Sequence, residues 1–228
     1  MPITFEAPVF NVKSALKAAD AGVDRLELCS SFAEGGETPG AGMLSWIKSR
    51  VSIPVFAMIR PRGGDYAYSS DEIKVMGEEM EKLGNAGADG FVFGILNSDN
   101  RIHVAACREL VEQAGDKPCT FHRAFDACKD PEVSLEQIIE CGFKRVLTSG
   151  LKESIDEGLD EVIRLLIHAN SRIVILPGGG LKPEHLPTLM ETGYLQEVHA
   201  SCKRWNNGSK IPIFEPGLFL KFRRQMNR

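Results

Sequence analysis

Short apolar runs alternate with longer amphipathic stretches from one end of the chain to the other. Eight runs read as strands: ITFEAPVF from Ile3, RLELC from Arg25, VFAMIRP from Val55, GFVFGIL from Gly90, CTFHRAF from Cys119, RVLTSG from Arg145, RIVILPGG from Arg172 and EVHAS from Glu197. Each is too short and too continuously apolar for a helix, which suits strands buried on both faces of a parallel sheet. The intervening segments carry the helical period and its end signals. In SSDEIKVMGEEMEKLGNAG, Ser69 and Glu72 stand at capping-box spacing, and Ile73, Met76, Met80 and Leu83 follow as one apolar stripe. Pro183 opens KPEHLPTLMETG and Gly193 closes it, while Gly22, Gly87, Gly115 and Gly142 fall between a helix and the next strand. Eight βα units predict a single-domain α/β protein, a (β/α)8 TIM barrel over residues 1–205. A doubly wound open sheet is the alternative, because alternation alone does not require closure. After EVHASCKRW the pattern lapses. Residues 206–228 read as an irregular tail with a short last helix over Leu218–Gln225, so the eighth helix is predicted to be shortened or irregular.

Composition narrows the class without naming it. The chain has 228 residues, 43% hydrophobic and 25% charged, enough for a large core. A net charge of −4 gives no reason to expect nucleic acid or an anionic membrane as partner. No run approaches the roughly 18 apolar residues of a membrane span. The start, MPITFEAP, lacks the basic and apolar regions of a signal peptide, so a cytoplasmic location is expected. Six cysteines (29, 107, 119, 128, 141 and 202) show no CxxC pair and no zinc-like spacing, and are expected to be free thiols.

A barrel puts its chemistry at the carboxyl ends of strands and in the loops that follow. Those positions hold Glu6 in strand one, Glu27 and Cys29 in strand two, and Arg60 and Arg62 after strand three. His122, Arg123 and Asp126 follow strand five, Thr148 and Ser149 close strand six, Gly178, Gly179 and Gly180 follow strand seven, and His199 and Ser201 end strand eight. Strand alternation puts Glu27 and Cys29 on one face, and likewise His199 and Ser201. Buried charge is costly unless paired. Glu6, Glu27, Arg60 and Arg123 therefore read either as an ion-pair network across the barrel top or as part of a site. His122 and His199 are candidates for acid, base or metal ligand, with a hydrogen-bonded core histidine as the alternative. His103, His168 and His185 fall on helices and are expected to be solvated. The run ILPGGGLKPEHL sits where these barrels often hold phosphate, and PRGGD adds Arg60 and Arg62 beside further backbone donors. With Glu6, Arg123 and Ser149 these complete the candidate substrate-binding set. No lysine lies inside a strand core, which argues against a Schiff-base aldolase, and no Walker, dinucleotide or HExxH motif is present.

The stretches RLELCSSFAEGGETP, MIRPRGGDYAYS, GADGFVFGIL, TFHRAFD, RVLTSG, ILPGGG and EVHAS resemble the signature blocks of the CutC family, in order and spacing, over about residues 3–202. The resemblance implies a TIM barrel, a cytoplasmic homodimer and a role in copper homeostasis through copper(I) binding. Copper(I) takes thiolate and thioether ligands. The family pattern has a cysteine in strand one where this chain has Pro8; the strand-two cysteine is Cys29, the metal-contact candidate. Met58 and Cys202 are the remaining soft donors near the mouth. The family also continues into a serine- and arginine-rich segment and a full last helix, a match that stops here near Trp205. Two functions are therefore expected. One is copper homeostasis, with copper(I) bound at the barrel mouth. The other is an enzyme acting on a small phosphorylated or carboxylated metabolite. In that case Arg60, Arg62 and Gly178–Gly180 hold the anion, and Glu27, His122 or His199 supplies acid and base.

Overall fold

The computed structural model describes residues 2–205 and 210–227. Its parallel strands are β1 (Thr4–Val9), β2 (Arg25–Leu28), β3 (Val55–Met58), β4 (Gly90–Phe93), β5 (Cys119–Phe121), β6 (Arg145–Thr148), β7 (Val174–Pro177) and β8 (Glu197–His199). They lie in the sheet order β7-β6-β5-β4-β3-β2-β1-β8. Sequential neighbours, with β8 returning to pair with β1, make a barrel and exclude the doubly wound sheet. The last gap is closed by contact. A Cβ added at Gly178, just past β7, would lie 3.3 Å from His199 of β8.

Helices α1 (Val12–Asp20), α2 (Ala41–Lys48), α3 (Ser70–Asn85), α4 (Val104–Gln113), α5 (Pro131–Glu140), α6 (Ile155–Ala169) and α7 (Leu186–Glu191) wrap the sheet. The α3 capping box forms as spaced: the Ser69 hydroxyl accepts from Glu72 N–H at 3.3 Å and the Glu72 carboxylate accepts from Ser69 N–H at 2.7 Å. Met76, Met80 and Leu83 are its buried stripe. At α6 two glycines let the helix start touch the end of β6. A Cβ at Gly150 (φ +78°) would fall 2.0 Å from the carbonyl oxygen of Gly158. That contact brings the first turn of α6 to the rim of the barrel.

Alternation along the strands builds two interiors. Phe5, Ala7 and Val9 of β1, Leu26 and Leu28 of β2, and Phe91 and Phe93 of β4 join the large core between sheet and helices. The opposite faces point into the barrel, where the apolar cluster is small: Cys29, Phe56, Met58 and Val92, with Phe10 against it. Leu147, which lines the mouth, belongs to neither cluster, and charged and polar side chains share the interior with them.

After β8 the chain turns at Cys202 (φ +40°) into an antiparallel ribbon of β9 (Lys203–Arg204) and β10 (Ile213–Phe214). It then enters α8 (Pro216–Met226). The irregularity expected in the tail lies in this ribbon, and the last helix is slightly longer than the stretch Leu218–Gln225. Its start is masked in sequence because Pro-Gly reads as a turn; here Pro216 takes the first helical position, where a missing N–H costs nothing. Phe219 and Phe222 seat α8 edge-on against Phe5 at 4.9 and 5.2 Å between centroids. Residues 206–209 and 228 of the predicted tail lie outside the described residues. All six cysteines are free thiols. Among the described residues no helix is long and apolar enough to cross a membrane.

Candidate functional site

At the base of the barrel interior, charge is paired with charge. Arg25 donates from Nε to Glu6 at 2.5 Å and from Nη2 to Glu197; Arg145 donates to both oxygens of Glu197 at 3.1 and 3.2 Å. Both guanidinium groups also cap the ring of Phe56, at 4.8 and 5.2 Å. Phe56 reaches the axis because β4 offers Gly90 opposite it; a Cβ there would stand 2.7 Å from the ring. Arg25, Arg145 and Glu197 were not singled out from the sequence. For Arg25 and Glu197 a signal was present, a charge two residues before a polar inward residue, in RLE and EVH; Arg145, followed by Leu147 in RVL, had none.

One layer higher the pairing becomes incomplete. The second oxygen of Glu6 lies 2.8 Å from His199 Nδ1, and His199 Nε2 lies 4.0 Å from Glu27 Oε2. Burial pushes the Glu6 carboxyl up, but Arg25 and then His199 outweigh it and hold it down at about 2. An ionised Glu6 requires a proton on Nδ1, so Nε2 is the histidine's free nitrogen. Glu27 behaves oppositely. Burial pushes it up to about 7, a shift His199 opposes and the Glu6 charge reinforces. His199 is raised, because Glu27 and Glu6 outweigh the effect of burial. The Cys29 thiol donates to Glu27 Oε2 at 3.5 Å and is pushed well up, by burial first and Glu27 second. Glu27 Oε1 is buried with no hydrogen-bond partner.

His122 stands across the mouth. Its Nδ1 accepts from Ala124 N–H at 3.3 Å, and burial together with Arg60 lowers it to about 3. The ring is therefore neutral with its proton on Nε2, a buried donor that also lacks a partner. Gly94 makes its place, since a Cβ there would lie 2.7 Å from the ring. Tyr66 packs on it at 5.0 Å.

The two arginines after β3 serve the loops. Arg60 donates to the carbonyls of Glu34 at 2.6 Å and of Gly36 and Gly64 at 3.0 Å. It lines the mouth with its Nη donors directed to backbone, while its Nε is buried without a partner. Arg62 is absent from the cavity wall; it pairs with Glu72 at 2.6 Å and donates to the Ala67 carbonyl. His185 is buried rather than solvated, 3.0 Å from Asp156, because the turn before α7 folds it back.

A third cluster fills the rim after β5 to β7. Asp126 accepts from Arg123 Nε at 2.7 Å, from the hydroxyls of Thr148 at 2.5 Å and Ser149 at 2.9 Å, and from the N–H groups of Ser149 and Leu151 at 3.1 Å. Arg123 Nη2 donates to Ser149 Oγ and to the carbonyls of Lys152 and Glu153. Asp126 was noted in sequence only as a neighbour of His122, yet it orders this corner.

These groups surround one cavity of about 1110 Å³ whose walls include Glu27, His122, Arg123, Gly179, Gly180 and His199. Glu6, Cys29, Ser149 and Gly178 stand behind that wall. Tyr66, Phe10, Phe32 and Lys203 line it too; they come from loops and the ribbon, where no periodicity marks a residue as inward. For a metal, Glu6, Glu27 and His199 offer ligand atoms within 4.8 Å of one another among the described residues. That is an oxygen and nitrogen set. The soft donors are Cys29 and Met58, members of one apolar cluster beside Gly36, where an added Cβ would lie 3.3 Å from the thiol sulfur and 3.6 Å from the Met58 methyl.

The family model for the CutC family matches residues 3–204. The Homo sapiens copper homeostasis protein cutC homolog is 46% identical over 198 residues, 87% of this chain and 72% of that protein. A CutC family protein of Vibrio vulnificus is 42% identical over 205 residues, 89% of this chain and 82% of its own. The solved CutC structure from Streptococcus agalactiae superposes with a TM-score of 0.81 at 32% identity, covering 87% of this chain and 98% of that one. A more distant aldolase, at 16% identity and a TM-score of 0.64, shares the fold alone.

Proposed function

The chain belongs to the CutC family, and from that premise we propose that its barrel mouth is an acid–base active site for a small polar metabolite. The observation that carries this reading is a pair of buried, unpartnered polar atoms, Glu27 Oε1 and His122 Nε2, on the wall of the cavity His199 also lines. Leaving such an atom unpaired costs about 1–3 kcal/mol, which a bound substrate would recover by supplying the missing partner.

The chemistry follows from the protonation states. Glu6 fixes the His199 ring so that Nε2 faces the cavity as a base, and the same carboxylate stabilises the imidazolium once a proton is taken. Glu27, held near neutral, serves as the partner acid or accepts the proton from His199 in turn. His122 is a neutral donor across the cavity, suited to an oxygen on which negative charge develops. To test this, the protein is incubated in deuterated water with a panel of hydroxy- and keto-metabolites, and mass spectrometry reads deuterium uptake or product. The wild type should act on at least one compound, with a loss of about 10²–10⁴-fold in His199→Gln and Glu27→Gln. No difference between wild type and these variants on any compound removes the reading.

A second reading is favoured by Cys29 and Met58, which share one apolar cluster beside Gly36, and by the names of the relatives. Here copper(I) is cargo, taken up in the cytoplasm by the Cys29 thiolate and the Met58 thioether. The site offers one thiol, Pro8 standing where the family pattern has another, and that thiol holds its proton firmly. Uptake must displace that proton, so affinity should rise with pH. Anaerobic copper(I) titration against a competing chelator decides it: affinity unchanged in Cys29→Ser eliminates Cys29 as the ligand.

A further inference from the structure

We infer that the metabolite is a phosphate monoester, its phosphate docked between Arg123 and the Gly179–Gly180 loop. The inference rests on the acid–base reading and adds the substrate class. Arg123 is anchored on one side only. Nε and Nη2 are engaged by Asp126, Ser149 and the Lys152 and Glu153 carbonyls, whereas Nη1 has no partner among the described residues. That free nitrogen lies against Gly179. A Cβ there would come within 3.3 Å of Nη1, 3.1 Å of Cζ and 2.8 Å of Ser149 Cβ, so only glycine keeps the corner open.

Gly179 and Gly180 both hold left-handed backbone, φ +74° and +88°. Their N–H groups have no acceptor among the described residues, although the Gly179 carbonyl is held by Ile155 N–H at 2.9 Å. Three donors without a partner among the described residues, from two chain segments, therefore belong to residues of the cavity wall that Asp126 and the start of α6 hold in place. A phosphate monoester can meet the three donors with a separate oxygen each and up to two negative charges, whereas a carboxylate shares two oxygens and a single charge among them. Lys152 and Lys203 also line the cavity, opposed by Glu34, Glu153 and Glu157. The remaining reach is short: a Cβ added at neighbouring Gly178 would lie 3.3 Å from His199, so a substrate held by phosphate at Gly179 presents its next carbons toward His199 and Glu27.

The test is titration of the intact protein with orthophosphate and glycerol 3-phosphate, followed by calorimetry and 31P NMR, with acetate at equal ionic strength as comparison. Phosphate should bind and raise the Tm of the wild type; acetate should do neither. Arg123→Leu should weaken phosphate about tenfold or more, and Arg123→Lys by less. His199→Gln should keep phosphate affinity within about twofold while losing deuterium exchange. Equal binding of acetate and phosphate by the wild type, or undiminished phosphate affinity in a folded Arg123→Leu, overturns the assignment. Phosphate binding without exchange on any substrate leaves this corner standing and sinks the acid–base reading instead. Wild-type measurements decide the matter even where Arg123→Leu does not fold.

Discussion

The barrel interior holds two layers of buried charge that differ in one respect. At the base, Glu6 and Glu197 use both carboxylate oxygens, on Arg25, Arg145 and His199. At the mouth, Glu27 uses one oxygen, and His122 uses one nitrogen. Burial is equal: Glu6 is 0% and Glu27 3% exposed. What separates the two layers' carboxylates is therefore completeness of pairing rather than depth. The base is not perfect, since Arg145 Nη1 and Thr120 Oγ1 lack partners, but no carboxylate there does.

Removing charge from each layer should split the two. Glu197→Ala leaves Arg25 and Arg145 without their shared carboxylate and should cost about 3–5 kcal/mol in denaturant unfolding. Glu27→Gln removes an incompletely paired buried acid, and its stability cost should stay below about 1 kcal/mol or turn to a gain. Equal losses in the two variants would erase the distinction.

The pH dependence sharpens it. Glu27 binds its proton more tightly folded than unfolded, so it favours the fold below its ordinary value near 4.5. That support is lost as pH rises through about 7. Glu6 has the opposite sign: its support is present above about 4.5 and lost as pH falls toward 2. Unfolding curves should thus show a decline between pH 4.5 and 7 that Glu27→Gln flattens. Acid loss below 4.5 should survive that substitution. The smallest effect is expected for Arg62→Gln, which lies off the cavity wall. Phosphate binding, copper(I) affinity and deuterium exchange should all stay at wild-type levels.

Much of this was legible in the chain. RLELC showed a charged residue and a thiol on one face, and EVHAS a histidine two residues before a serine, because strand period fixes facing. The position of ILPGGG in the seventh unit pointed to the rim. Less legible was what each charge does there. Arg60 and Arg62 read as anion holders, but their guanidinium groups meet Glu34, Gly36, Gly64 and Ala67 carbonyls and Glu72. Apart from Glu72 in the first turn of α3, those acceptors come from loops with no period to predict them. Arg123, by contrast, gained importance only through Asp126 and Ser149, the latter 26 residues away.

By itself the sequence determined the eight βα units, which side chains of a strand share a face, and the end at which polar residues gather, while closure of the sheet into a barrel came from the β8–β1 pairing. The first three follow from local periodicity and from glycine and proline placement, which act within a few residues. Tertiary structure alone decided which buried charges are complete. Glu6 meets His199 across 193 residues and Arg25 meets Glu197 across 172. Hydrogen-bond completeness depends on tenths of an ångström between segments that only closure of the barrel brings together.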